Sequence, residues 1–75
     1  MLFNTIVTRP LMISGSSVIS SAEYDASILE LTITFRRGQT YTYSGVSLKV
    51  AEGLEMATSP GAYYDARIRG HYTRS

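Results

Sequence analysis

The sequence contains no cysteine. Disulfide staples and thiolate metal sites are therefore excluded, and a reducing compartment is allowed, so a cytoplasmic protein is expected. Neither sign of charge is in excess: seven Lys and Arg against six Asp and Glu leave a formal net charge of +1. A dedicated nucleic-acid binder is usually strongly basic, so any such site here has to be a local patch. No apolar run reaches the length of a membrane span, and no membrane partner is expected. A single histidine, His71, is too little for a metal site without thiolates, so no metal or other cofactor is expected. There is no nucleophile elbow, no phosphate-cradling glycine loop and no usefully spaced pair of carboxylates. Ser59, Asp65 and His71 can be assembled into a Ser-His-Asp set on paper, but almost any serine-rich chain offers one. The chain is read as non-enzymatic.

What is present is the composition of one small folded domain. With 75 residues, 44% of them apolar and 17% charged, the chain is not of disordered type. A domain of this size buries only about 60% of its unfolded surface, so its stability should be a few kcal/mol. Residues 1–13 are read as an N-terminal extension, either an edge strand or a disordered tail. Arg9 and Pro10 interrupt its apolar residues early, and the basic start and small-residue cleavage site of a signal peptide are not seen. Met12 is an alternative start, which would make the first eleven residues dispensable. Residues 14–75 are read as a single domain, entered through a flexible polar stretch at Ser14-Gly15-Ser16-Ser17.

The strongest pattern is a hairpin. Leu29, Leu31, Ile33 and Phe35 alternate with Glu30, Thr32 and Thr34, the period of a half-buried strand. Arg36-Arg37-Gly38 then fits a three-residue loop, a type I turn closed by a bulged glycine. That loop sets Ile33 against Tyr41 and Leu31 against Tyr43, and so places both tyrosines on the apolar face. A two-residue turn would put them on the polar face instead. A weaker strand over Val18 to Tyr24 precedes the hairpin and reads as an edge; its apolar face carries Val18, Ala22 and Tyr24, with Ile19 on the other. Asp25-Ala26-Ser27 reads as the turn between them. After the hairpin, Ser47 is a suitable cap for a helix over Leu48 to Ala57, with Leu48, Val50, Ala51, Leu54 and Ala57 as its apolar stripe. Gly53 in mid-helix points to close packing there. Thr58-Ser59-Pro60 starts a second helix that runs to about Arg69, turns Tyr64, Ile68 and Tyr72 inward and ends at Gly70. The last residues, Thr73 to Ser75, read as a frayed tail. The expected fold is α+β: a three-stranded antiparallel β-meander followed by two short helices packed on one face.

Several of these residues recur together in a known module. They are Ser16-Ser17, Tyr24-Asp25, Tyr41-Thr42-Tyr43 with Gly45-Val46, Ser59-Pro60-Gly61, Tyr63-Tyr64-Asp65, and Ile68 with Tyr72. In this order and spacing, over Ser16 to Tyr72 without a gap, the chain resembles the KTSC domain. That module is named for its occurrence at the C-terminus of some lysyl-tRNA synthetases, and it also occurs alone as a small bacterial or phage protein. The resemblance implies a role in RNA binding. This chain departs from the usual pattern in three places. Ser44 stands where the family usually has an aromatic residue, Ser47 where it usually has Pro, and Asp65 where it usually has Asn. The first and the last weaken a nucleic-acid reading.

Two functional expectations follow. One is a module that binds RNA or single-stranded nucleic acid, with Tyr41 and Tyr43 as stacking rings and Arg36, Arg37, Arg67, Arg69, His71 and Arg74 as the basic surface. Buried rings and a solvated turn are the plain alternatives for these residues. The other is a protein-interaction module, an accessory or inhibitor that docks on a larger host protein through the same residues. Self-association through an edge strand is a third arrangement.

Overall fold

The computed structural model describes residues 8–13 and 15–75. Residues 1–7 of the expected extension, and Ser14 at the expected domain entry, lie outside them. The described chain runs β1 (Thr8–Leu11), β2 (Ile19–Asp25), β3 (Glu30–Phe35), β4 (Thr40–Ser44), α1 (Leu48–Met56), α2 (Pro60–Arg67) and β5 (Thr73–Arg74). The strands form one antiparallel sheet in the order β1-β2-β3-β4-β5. The meander followed by helices is the expected α+β architecture, but the sheet has five strands rather than three. Both additions are at its edges. The supposed frayed tail pairs with β4, and Thr42 and Ser75 exchange both backbone hydrogen bonds, at 3.0 and 2.9 Å.

The hairpin loop has the bulged geometry. The Gly38 N–H donates to the Phe35 carbonyl at 2.8 Å, the Phe35 N–H donates to the Gln39 carbonyl at 2.8 Å, and Gly38 has φ +104°. Ile33 therefore faces Tyr41 and Leu31 faces Tyr43. The face with Leu31, Ile33, Phe35 and Tyr43 is buried together with Val46, Ala51, Leu54, Tyr64 and Ile68. The other face of the sheet is a threonine surface, where Thr32 hydrogen-bonds Thr42 and Thr34 hydrogen-bonds Thr40 across the strands.

Five local readings are corrected. Ile19 lies on the core face, 1% exposed, along with Ala22 and Tyr24, because a register shift between Ile19 and Ser21 absorbs one residue. Val18 precedes the strand and is exposed. β2 is not an edge, since β1 covers it. Leu29 leaves the β3 pattern: it sits in the β2–β3 turn with φ +57°, exposed, a conformation that costs a non-glycine residue about 1 kcal/mol. Ser16 is not a flexible linker but is buried; its Oγ accepts from the Val18 and Ile19 N–H groups, and its carbonyl accepts from Arg36 Nε.

Strand β1 is fastened to the helical layer. Leu11 enters the core, and Glu55 of α1 accepts hydrogen bonds from the Met12 N–H at 2.8 Å and from Arg9 Nη1 at 3.3 Å. The Met12 amide, and after it Arg9, hold the Glu55 carboxyl below its ordinary pKa. The helices begin as the sequence dictates: Ser47 Oγ accepts from Val50 N–H, and Ser59 Oγ accepts from Ala62 N–H with Pro60 at the first helical position. In α1, Ala51 and Leu54 are buried but Leu48 is exposed. Helix α2 ends at Arg67, and Gly70 with φ +79° turns the chain toward β5.

Gly53 marks the contact between the helices. A Cβ there would overlap the Tyr63 hydroxyl, which donates to the Val50 carbonyl at 2.9 Å. In an isolated helix Gly→Ala is stabilising by about 1 kcal/mol. Here Gly53→Ala is expected to destabilise by about 1–3 kcal/mol, because the Tyr63 ring must move off its acceptor. In urea denaturation, a midpoint at or above that of the parent would contradict this packing.

Candidate functional site

Three elements that are distant in sequence meet at one groove. The β3–β4 loop contributes Arg37 and Gln39, the start and middle of α2 contribute Gly61, Ala62, Tyr64 and Asp65, and the end of the chain contributes Arg69 and Arg74. Phe35, Tyr41 and Val18 complete the lining, and the space is about 470 Å³. Each contribution has a local cause. The bulged loop sends Arg37 past the end of the sheet. Gly61 lets α2 approach Val18, whose Cγ2 would lie 3.0 Å from a Cβ at that position. The pairing of Tyr43 with Arg74 places the Arg74 side chain on the helical side of the sheet, next to the tyrosines.

The floor of the groove is aromatic. Phe35 meets Tyr41 edge to face at 6.0 Å and Tyr64 at 5.1 Å, and Tyr43 meets Tyr64 at 5.9 Å. Tyr43 is buried, and its hydroxyl shares a 2.6 Å hydrogen bond with that of Tyr64. Burial first, and then the Tyr64 hydroxyl, raise the Tyr43 pKa far above the ordinary phenol, so Tyr43 stays protonated and structural. Tyr41 is only half-buried, and the Arg74 guanidinium lies 4.1 Å from its ring centre. A guanidinium over a ring can still offer N–H groups to an acceptor, although Arg74 also lies within hydrogen-bonding reach of Tyr43, whose pKa it lowers against the upward pull of burial. On the helical side Arg69 donates to Asp65 at 3.0 Å, and Asp65 raises the Arg69 pKa.

The residues singled out in the sequence separate into two groups. Arg37, Tyr41, Arg69 and Arg74 come together at the groove. Tyr43 lies beneath it, and also lines a smaller adjoining hollow with Tyr64, Arg69, Gly70, Tyr72 and Arg74. Arg36 is turned away, its Nε holding the Ser16 carbonyl at 2.7 Å. Arg67 and His71 are exposed and line neither space. Ser59 caps α2 and Asp65 pairs with Arg69, and no hydrogen bond joins either side chain to His71. Among the described residues no three His, Asp or Glu side chains are placed to hold a metal ion. Among the described residues no helix is long and apolar enough to cross a membrane. Val18, Gln39 and Ala62 were not readable as site residues; the one signal available was Gly61, a position that needs close approach.

The module with this fold is a known one. The KTSC domain family model matches residues 15–72. The chain belongs to the KTSC domain family. A crystal structure of a KTSC domain protein from Yersinia pestis superposes with a TM-score of 0.83 and 31% identity, covering 91% of this chain and 94% of that one. Lysine–tRNA ligases of Trichormus variabilis and Nostoc punctiforme are each 33% identical over 67 residues, which is 89% of this chain. The chain spans 12% of the length of those relatives. As a KTSC domain it is a small α+β unit rather than a catalytic domain.

Proposed function

We propose that this KTSC domain is a non-enzymatic cytoplasmic module that binds single-stranded nucleic acid, RNA foremost, in the groove between the hairpin tip, α2 and β5. The observation that carries the reading is the convergence of Arg37, Arg69 and Arg74 over a floor of aromatic rings. Guanidiniums engage phosphate, and the Tyr41–Arg74 stack offers a planar surface to an unpaired base. The open face of the sheet is a poorer platform, since it carries threonines and no aromatic ring among the described residues. Lysine–tRNA ligases, enzymes named for an RNA substrate, contain a similar segment, which also supports RNA as the ligand. Fluorescence anisotropy with a short single-stranded RNA is expected to show binding that weakens with salt. The log–log slope should be about −1.4 to −2, the release expected for two or three neutralised phosphate charges. Absence of binding at low salt would refute the reading.

Docking on a larger protein has one observation of its own. Ile28 and Leu29 in the β2–β3 turn, and Leu48 at the start of α1, are exposed apolar side chains at one end of the molecule, where the Val46 N–H bonds the Leu29 carbonyl. A partner captured through this end would survive nuclease treatment and be lost on Ile28→Asp.

A further inference from the structure

The size and uneven charge of the groove suit a single terminal group better than a strand that merely passes through it. Its volume, about 470 Å³, suits one nucleotide-sized group. Its two sides differ. Arg69 on the helical side is already paired with Asp65, so that side offers a donor and an acceptor with little net charge. Arg37 and Arg74 on the sheet side have no carboxylate partner among the described residues. Three guanidiniums against one carboxylate leave the groove with a charge of +2. An internal phosphodiester carries a single negative charge, whereas a terminal phosphate monoester carries about −1.5 to −2 at neutral pH. Charge therefore matches an end better than a passing strand. Stacking on Tyr41 also holds Arg74 in place before any ligand arrives, so little side-chain freedom is lost on binding.

We infer that the groove recognises the terminal phosphate monoester of a single-stranded nucleic acid. Arg37 and Arg74 grip the dianion, and Val18 and Ala62 form the apolar wall beside the last sugar and base. This inference rests on the nucleic-acid reading above and sharpens it to an end. The test compares one short RNA sequence in three forms: with a 5′-phosphate, with a 3′-phosphate, and with hydroxyls at both ends. One phosphorylated form is expected to bind about ten-fold tighter than the hydroxyl form. Arg37→Ala and Arg74→Ala should each abolish that preference, and Asp65→Asn should strengthen phosphate binding by releasing Arg69. Equal affinity for all three forms would overturn terminal recognition while leaving single-strand binding in place. A phosphate preference that survives both arginine variants would overturn the assigned site. Binding of no RNA at all, or of a phosphoserine peptide in its place, would overturn the nucleic-acid reading along with the inference.

Discussion

A chain that begins at Met12 is expected to lose its cooperative unfolding transition. Such a truncation removes β1, and with it Leu11, which is 5% exposed and part of the core. Replacing one buried leucine by alanine costs about 2–5 kcal/mol. Here the whole residue goes, together with the Arg9–Glu55 ion pair and every backbone bond from β1 to β2. The loss also opens the edge of β2 next to Ala22 and Tyr24, both buried in the intact domain. A domain this small has only about 3–5 kcal/mol to lose. Circular dichroism during heating should show a broad, low-temperature change or none, whereas Leu11→Ala alone should keep a transition at a lower midpoint. If the truncated chain melts like the parent, β1 is not part of the folded unit.

The largest effect on binding is expected from Arg37→Ala combined with Arg74→Ala. The pair should lower affinity for single-stranded RNA by about ten-fold or more at low salt. It should also flatten the salt slope by about 1.4, close to 0.7 for each phosphate charge no longer neutralised. Both residues are exposed and neither fills the core, so the thermal midpoint should move far less than the affinity. Lys49→Ala with Arg67→Ala removes the same charge outside the groove and serves as the control. Equal losses from the two double variants would mean that net charge, rather than this groove, attracts the RNA.

Much of the fold was legible because local chemistry and global packing agree. The alternation Leu31, Ile33, Phe35 defines one strand, and the Gly38 bulge sets its register with Tyr41 and Tyr43. Ser47 and Ser59-Pro60 mark both helix starts. What escaped was whatever depended on distant partners. β1 and β5 are short, carry little alternation of their own, and become strands only because β2 and β4 offer them unpaired edges. Ile19 could not be assigned to the core because a one-residue shift in pairing reverses the face of everything before it. The site was legible in part for the same reason. Arginines at a turn and at a chain end are visible as types, but only the three-dimensional path shows that Arg37 and Arg74 share a groove while the neighbouring Arg36 serves Ser16.

The late return of β5 orders the way this molecule assembles. Through β4, every strand pairs with its immediate neighbour in sequence, so each step closes a short loop and can form early. The pairing of Ser44 with Thr73 instead encloses both helices. Closing this long loop is costlier than the short ones, so it is expected after the helices have packed, and it is the step that delivers Arg74 to Tyr41. The scaffold thus matures before the groove does. For the same reason the groove is expected to open before the core, since withdrawing the two residues of β5 dismantles it.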